Sequence, residues 1–143
     1  MSGAGRGGDV RFAGYAAIFD KVDRGGDVVR PGAFGAAENG RLGAAGVPLL
    51  WQHGPGSVIG TVEKLEEDAR GLRVVGRVSA RTAAGRDAAA ALKGGTLDGL
   101  SFGYRVKAAR GTRPRELLAL EIVEVSLVTH PMQALARVIA VEG

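Results

Sequence analysis

The 143-residue sequence contains no cysteine, which excludes disulfide scaffolds and zinc–thiolate sites. It has few aromatic residues, with four Phe, two Tyr and one Trp. Its uninterrupted apolar stretches are far shorter than the roughly 20 residues that a membrane helix needs. No basic-then-apolar segment opens the chain, as a signal peptide would. These absences favour a soluble protein and argue against a membrane partner.

Glycine is abundant, at 24 of 143 residues or about 17%, against a typical share of roughly 7%. Many backbone turns are therefore expected. The hydrophobic fraction of 45% and the charged fraction of 24% are ordinary for a globular chain, and a mass of 14.7 kDa suits one domain with a buried core. The chain opens with a Gly-rich polar segment, so we expect a flexible tail at 1–8 and a single domain over 9–143.

The charge balance is basic, with a net charge of +4 and a sequence pI of about 10.0. Basic proteins can bind nucleic acid by neutralising phosphates. Here, however, lysines and arginines are scattered singly among acidic residues, and aromatic side chains that could stack on bases are scarce. Nucleic-acid binding is therefore disfavoured.

Alternating apolar residues separated by turn signals predict a strand-rich domain. The clearest feature is an antiparallel hairpin of Val58 to Leu65 and Leu72 to Val78 around a charged turn. Further strands are expected at Val10 to Phe19, bent at Gly14, at Val47 to Trp51, at Leu97 to Val106, at Arg115 to Val128 and at Val138 to Val141.

Thr82 to Lys93 is the clearest helix, because Thr82 can cap it, alanines favour it and Gly94-Gly95 ends it. A shorter helical turn is expected from Ala33 to Glu38. The pattern predicts a mainly β protein with helices, of the α+β class. The expected architecture is a barrel or sandwich of about seven short strands with peripheral helices.

Candidate nucleophiles are few, since cysteine is absent and serine occurs only at Ser2, Ser57, Ser79, Ser101 and Ser126. The only imidazoles are His53 and His130, so a serine mechanism would use one of them as its general base. His53 lies in a Gly/Pro loop after a predicted strand, and His130 precedes Pro131. Histidines in such places are more commonly solvated loop residues, and residue types alone do not choose between these two.

Ser101 lies in the segment Gly99-Leu100-Ser101-Phe102-Gly103, which matches the G-x-S-x-G pattern of the nucleophile elbow. That elbow requires a helix directly after the serine and a large parallel sheet around it. Here a strand is predicted after Ser101, and the chain is too short for the hydrolase fold. The simplest interpretation is a serine in a turn that enters a strand.

Counting along the predicted hairpin brings carboxylates near Ser101. If the loop closes about Gly111, Ser101 pairs with roughly Glu121, and Glu124 lies within a diagonal step. The two glutamates are an odd number of positions apart and face opposite sides of a regular strand, so at most one shares a site with Ser101. The alternative is that both are solvent-facing charges.

Several short segments in order along the chain carry a further signal. They are Gly14-Tyr15-Ala16 with Phe19, Gly26 to Phe34, Leu49 to His53 with Ile59-Gly60, Gly71-Leu72 with Leu97 to Tyr104, and Glu124 to Thr129 with Pro131. Together, from about Phe12 to Ala136, they resemble the prohead protease family of tailed phages, which occurs in HK97-like viruses and in gene transfer agents.

The resemblance implies a serine endopeptidase with the antiparallel β-barrel fold of herpesvirus assemblin. The implied partners are the major capsid protein and its scaffold segment, which such enzymes cut inside the immature capsid, or prohead, in the host bacterial cytoplasm. Self-cleavage is also implied, and analogy with assemblin leaves a homodimer open. No cofactor and no metal are expected, since the sequence has no metal-ligand cluster or phosphate-binding loop.

By the same resemblance, Ser101 would be the nucleophile and His53 the general base. Glu124 would be the third member, which orients the imidazole and stabilises its charge. The tetrahedral oxyanion needs preorganised donors, for which main-chain N–H groups of a Gly-rich turn and Arg137 are candidates.

Two alternatives stay open at this point. Assemblin-type enzymes use a second histidine as the third member, so His130 competes with Glu124. Glu121, the counted partner of Ser101, is a further alternative. The chain could also be a catalytically silent capsid-assembly or scaffolding barrel that retains the motifs by descent. Intact Ser101, His53 and Glu124 favour the enzyme, because a silent relative has no chemical reason to keep all three.

Overall fold

Nine strands and one helix form in the part of the chain that the computed structural model describes, residues 8–35, 41–42 and 46–143. The strands are β1 Val10–Ile18, β2 Asp27–Val29, β3 Arg41–Leu42, β4 Pro48–Trp51, β5 Val58–Glu67, β6 Gly71–Val78, β7 Gly99–Arg110, β8 Arg115–Val128 and β9 Val138–Glu142, and the helix is α1 Ala83–Gly94. The mainly β class is confirmed. The strand count exceeds the prediction because β2 and β3, with three and two residues, are too short to show an alternating pattern.

Two expectations fall largely outside the described residues. Of the predicted tail at 1–8, only Gly8 is described. The predicted helical turn begins in a described segment, where residues 31–34 form turns, and continues beyond it. No helix in the described segments has the length and apolar character needed to cross a membrane.

All nine strands belong to one sheet, in the order β2-β8-β4-β5-β6-β1-β9, with β3 joined to β5 and β7 joined to β8. The sheet curls as a half-barrel. The 14-residue β8 pairs with three other strands. β7 pairs antiparallel along one edge of β8. Along the other edge, β2 pairs in parallel with residues 115–117 and β4 pairs in parallel with residues 125–127. The predicted antiparallel character therefore does not hold for these two pairings, because β8 is long enough to take two short strands end to end.

The predicted hairpin of β5 and β6 is confirmed and supplies much of the core. β6 buries alternate side chains, among them Leu72, Val74 and Val78, as expected for a strand with one face towards the core. Burial of such side chains stabilises a fold by roughly 1.5 to 3 kcal/mol each. This hairpin and β1, which pairs with β6, form a three-stranded part of the sheet that β4 joins to β8.

Helix α1 is confirmed within one residue of its predicted bounds. The Thr82 hydroxyl accepts the N–H of Gly85 at 3.0 Å, and Gly95 ends the helix in the left-handed conformation (φ 71°). Gly85 is required inside the helix, because a Cβ there would lie 1.9 Å from the carbonyl oxygen of Ser79.

The long hairpin of β7 and β8 has a different centre from the predicted one. Arg110 pairs with Glu116, so the hairpin centres midway between them rather than at Gly111. Gly111, in the left-handed conformation (φ 80°), begins the loop instead of occupying its middle. Equal counting about this glycine therefore places every residue of β7 against the wrong partner.

The observed register corrects one predicted neighbour of Ser101 and keeps the other. Ser101 pairs with Ser126 and not with Glu121, which lies opposite Arg105. Glu124 pairs with Gly103 and so lies one diagonal step from Ser101, as expected.

Glu116 ties the loop end of this hairpin to the segment after β2. Its carboxylate accepts hydrogen bonds from Arg110, at 2.9 and 3.0 Å, and from Arg30, at 2.9 Å. These bonds lower the pKa of Glu116 from 4.5 to about 2. A carboxyl whose pKa is lowered by folding stabilises the folded state above its unfolded pKa, and this contribution is lost as the pH falls through the folded pKa.

We therefore expect Glu116→Gln to lower the melting temperature at neutral pH and to match the wild type near pH 2, where Glu116 itself becomes protonated. Thermal melts followed by circular dichroism at both pH values test this. Glu121→Gln is the matched control, since Glu121 makes one exposed contact of 3.2 Å with Arg105. An equal loss of stability for Glu116→Gln at both pH values would contradict the expectation.

Candidate active site

Three strands bring the predicted site residues to one end of the sheet. β4 runs parallel to the last residues of β8, so the loop that follows β4 emerges beside the end of β8. β7 lies on the other edge of β8. His53 comes from the loop, Glu124 from β8 and Ser101 from β7.

His53 and Glu124 form a direct contact. The Nδ1 atom of His53 lies 2.5 Å from Oε1 of Glu124. The Glu124 side chain is 10% exposed, while that of His53 is 46% exposed, so the carboxylate is largely sheltered and the imidazole reaches solvent. Because Nδ1 is held by the carboxylate, Nε2 is the ring nitrogen available to a reacting group.

The backbone that carries His53 has an uncommon conformation. Gln52 and His53 both have positive φ angles, of 51° and 61°, which few residues other than glycine adopt. Hydrogen bonds to the end of β8 hold this loop: the Gln52 N–H donates to the carbonyl of Leu127 at 2.9 Å, and the Gln52 and Thr129 side chains are joined at 2.6 Å. The Thr129 N–H also donates to the Gln52 side chain, at 3.0 Å.

Ser101 lies on the same face of the β7–β8 hairpin as Glu124. Directly paired residues share a face, and Ser101 pairs with Ser126, whose hydroxyl donates to Oε2 of Glu124 at 2.5 Å. Ser101 is 5% exposed. Within the described residues its hydroxyl forms no hydrogen bond.

Gly103 gives the Glu124 carboxylate its place between the two strands. A Cβ at residue 103 would lie 2.6 Å from Oε1 of Glu124, the oxygen that contacts His53. Only glycine therefore leaves room for the carboxylate in its present position.

The other predicted candidates lie elsewhere or are already bonded. His130 is exposed beyond the end of β8, and Glu121 pairs with Arg105 on the exposed part of the hairpin. The Arg137 guanidinium donates to Asp98, at 2.8 Å, and to the carbonyl of Ala134, at 2.9 Å. Ser2 is not among the described residues.

Two features of this site were not assigned to it from the sequence: the Ser126 hydroxyl, which was named only among the candidate nucleophiles, and the Gln52 side chain. Ser126 is fully buried and also accepts the N–H of His53, at 3.2 Å. A signal for it was present, because residues two apart on a strand share a face, and Ser126 follows Glu124 by two. The role of Gln52 has no such signal, since it depends on a left-handed turn.

No group of three or more potential metal ligands occurs among the described residues. Besides the Gln52 and Thr129 side chains, which hold the His53 loop, the polar side chains of the site within these segments are one carboxylate, one imidazole and two hydroxyls. That set is suited to proton transfer and to attack by an oxygen nucleophile.

Known proteins resemble this chain both in sequence and in fold. The prohead protease of Enterobacteria phage HK97 is 33% identical over 96 residues, which cover 66% of this chain and 42% of that protein. The KSHV protease, in a crystal structure with a hexapeptide phosphonate inhibitor, superposes with a TM-score of 0.63 at 10% identity, covering 94% of this chain and 65% of that one. For the varicella-zoster virus protease the TM-score is 0.54 at 17% identity, covering 94% of this chain and 64% of that one.

The structural comparison establishes a shared fold with the herpesvirus proteases, as expected from the resemblance to assemblin. The chain spans less than half the length of the HK97 protein that it matches. The profile of one family, described as the Caudovirus prohead serine protease, matches residues 2–142, almost the whole chain. This protein therefore belongs to the Caudovirus prohead serine protease family.

Proposed function

We propose that this chain is a serine endopeptidase in which Ser101 is the nucleophile, His53 the general base and Glu124 the residue that orients the imidazole. The observation that carries the proposal is the 2.5 Å contact between Nδ1 of His53 and Oε1 of Glu124, one diagonal step from Ser101. Membership of a serine protease family supports the same chemistry.

Each residue type suits its role. A serine hydroxyl attacks a peptide carbonyl only when a base removes its proton, and Nε2 of His53 is the nitrogen left for this step. The proton then passes to the leaving amine, which releases one half of the substrate and leaves an acyl-enzyme on Ser101. Water, activated by the same imidazole, hydrolyses this ester and restores the hydroxyl. Glu124 stabilises the imidazolium that forms in both steps.

The structure favours Ser101 over the neighbouring Ser126 as the nucleophile. Ser126 is fully buried, and its hydroxyl is engaged with both Glu124 and His53. Ser101 retains some exposure, and within the described residues its hydroxyl is not engaged. A nucleophile must be able to meet a substrate, which Ser101 can do without breaking an existing bond.

The substrate that we propose is the major capsid protein with its scaffold segment, cut within the prohead in the bacterial host. The HK97 relative is named a prohead protease, and this name supports the assignment. Self-cleavage and a homodimeric form are part of the same proposal.

Co-expression with the capsid protein and its scaffold segment tests the proposed function. We expect the intact mass of the capsid protein to fall by the mass of a terminal segment when the protease is present. In a separate experiment, a fluorophosphonate should label Ser101 of the purified protease and stop cleavage. An unchanged mass, with particles still assembling and no labelling, would favour the catalytically silent assembly barrel instead.

Gly103→Ala is expected to reduce cleavage by about a hundredfold while the protein remains folded. The new Cβ would lie 2.6 Å from Oε1 of Glu124, and a flexible carboxylate can move away from it more easily than the backbone can. The displaced carboxylate would no longer hold Nδ1 of His53.

Rates of cleavage of a purified capsid–scaffold substrate, with melting temperatures of the same samples, check this expectation. Gly94→Ala is the matched control, because a Cβ at Gly94 meets nothing within 4 Å. Wild-type cleavage by a folded Gly103→Ala variant would show that the position of the carboxylate does not matter.

A further inference from the structure

We infer that Ser126 is a positioning residue, whose hydroxyl fixes both the Glu124 carboxylate and the backbone of His53. This inference rests on the proposed function, in which His53 and Glu124 act as one unit. It assigns a role to a hydroxyl that itself touches no reacting atom.

The Ser126 hydroxyl bonds to both His53 and Glu124. It donates its proton to Oε2 of Glu124, at 2.5 Å, and accepts the main-chain N–H of His53, at 3.2 Å. The other carboxylate oxygen, Oε1, contacts Nδ1 of His53. Glu124 and His53 are therefore linked twice, once through the imidazole and once through Ser126.

The Ser126 hydroxyl is buried, so water cannot take its place in these hydrogen bonds. Ser126 is 0% exposed, so water does not reach its hydroxyl to replace either partner. A buried polar group that loses its hydrogen-bond partner raises the free energy of the folded state unless it moves to find another partner. Without the hydroxyl, Oε2 of Glu124 would lack its donor and would be free to rotate away from the imidazole.

The conformation of the His53 loop needs the same support. Two successive residues in the left-handed region are held only when their surroundings determine them. The bonds from Gln52 to Leu127 and Thr129 fix the first of these residues. The bond from the His53 N–H to Ser126 fixes the second, which is the one that carries the imidazole.

Four forms of the protein test the inference: the wild type, Ser126→Ala, and the matched pair Ser126→Thr and Ser126→Val. Threonine and valine have nearly the same shape, and only threonine keeps the hydroxyl. The readouts are kcat and KM on a capsid–scaffold substrate and the proton NMR signal of the His53 Nδ1–H, which moves downfield when an imidazole donates to a carboxylate. His53→Ala identifies that signal by its absence.

We expect kcat to fall by about tenfold to a hundredfold in Ser126→Ala and Ser126→Val, with KM unchanged, and to recover in Ser126→Thr. The downfield signal should weaken in the first two variants and return in the third. If Ser126→Ala does not fold, the threonine and valine pair still isolates the hydroxyl. Wild-type kcat and an unchanged signal in a folded Ser126→Ala or Ser126→Val variant would overturn the inference.

The NMR signal separates this inference from the proposed function. If the wild type cleaves no capsid substrate but the signal depends on the Ser126 hydroxyl, the proposed function fails and the positioning role stands. If the wild type cleaves but neither kcat nor the signal responds to loss of the hydroxyl, the proposed function stands and the positioning role fails.

Discussion

Ser101→Ala is expected to lower kcat by about a millionfold, which in practice means no detectable cleavage, while leaving the melting temperature at the wild-type value. The substitution removes the oxygen that forms the acyl-enzyme in the proposed mechanism. It should not disturb the fold, because within the described residues the hydroxyl makes no hydrogen bond and alanine keeps the Cβ. The measurements are the intact mass of the co-expressed capsid protein and a thermal melt of the purified variant.

Ser79→Ala is the control for this prediction, since Ser79 lies before α1, where its hydroxyl accepts the N–H of Arg81 at 3.3 Å. It should cleave like the wild type. Cleavage by Ser101→Ala at an ordinary rate would reject Ser101 as the nucleophile. Fluorophosphonate labelling of another serine would then identify the residue that replaces it.

The elements that sequence analysis predicted well are those with strong local signals. The β5–β6 hairpin has two alternating strands around a charged turn, and α1 has a capping threonine, a run of alanines and a terminal glycine. The pairing of β4 with β8 had no such signal, because parallel strands far apart in sequence are brought together only by the whole fold.

The geometry of the candidate site was predicted only in outline. Glu124 was expected near Ser101 although the hairpin centre was wrong, because Glu124 lies between the predicted partner, Glu121, and the observed partner, Ser126. The contact of His53 with Glu124 could not be derived by counting, since it depends on the left-handed turn at Gln52 and His53. Hydrogen bonds to the end of β8 hold that turn, and they form only in the folded protein.

The same distinction applies to Ser126, which the sequence offers only as one of five candidate nucleophiles. Its position two residues after Glu124 was visible in the sequence, but a serine on a strand is most often a packed or solvated residue. Its role becomes clear only when the loop after β4 lies over β8 and presents the N–H of His53 to its hydroxyl. The role of a buried polar group therefore depends on tertiary hydrogen-bond partners that no local sequence pattern specifies.

Glu124→Gln is expected to lower kcat by about a thousandfold to ten-thousandfold. The carboxylate accepts on both oxygens, from Nδ1 of His53 and from the hydroxyl of Ser126. An amide has one acceptor and one donor end, so glutamine would present its NH2 group either to the imidazole or to Ser126. The first arrangement favours the wrong tautomer of His53, and both remove the negative charge that stabilises the imidazolium. Kinetics of the purified variant measure the loss.

Glu121→Gln and His130→Ala are the matched controls, since each replaces an alternative third member, and both should retain wild-type rates. Combining Glu124→Gln with His53→Ala gives a sharper test. If Glu124 acts through the imidazole, its substitution should cost nothing more once His53 is absent, because residues that work as a unit are not additive. An inactive His130→Ala with a nearly normal Glu124→Gln would instead assign the third position to His130, as in the herpesvirus type of triad.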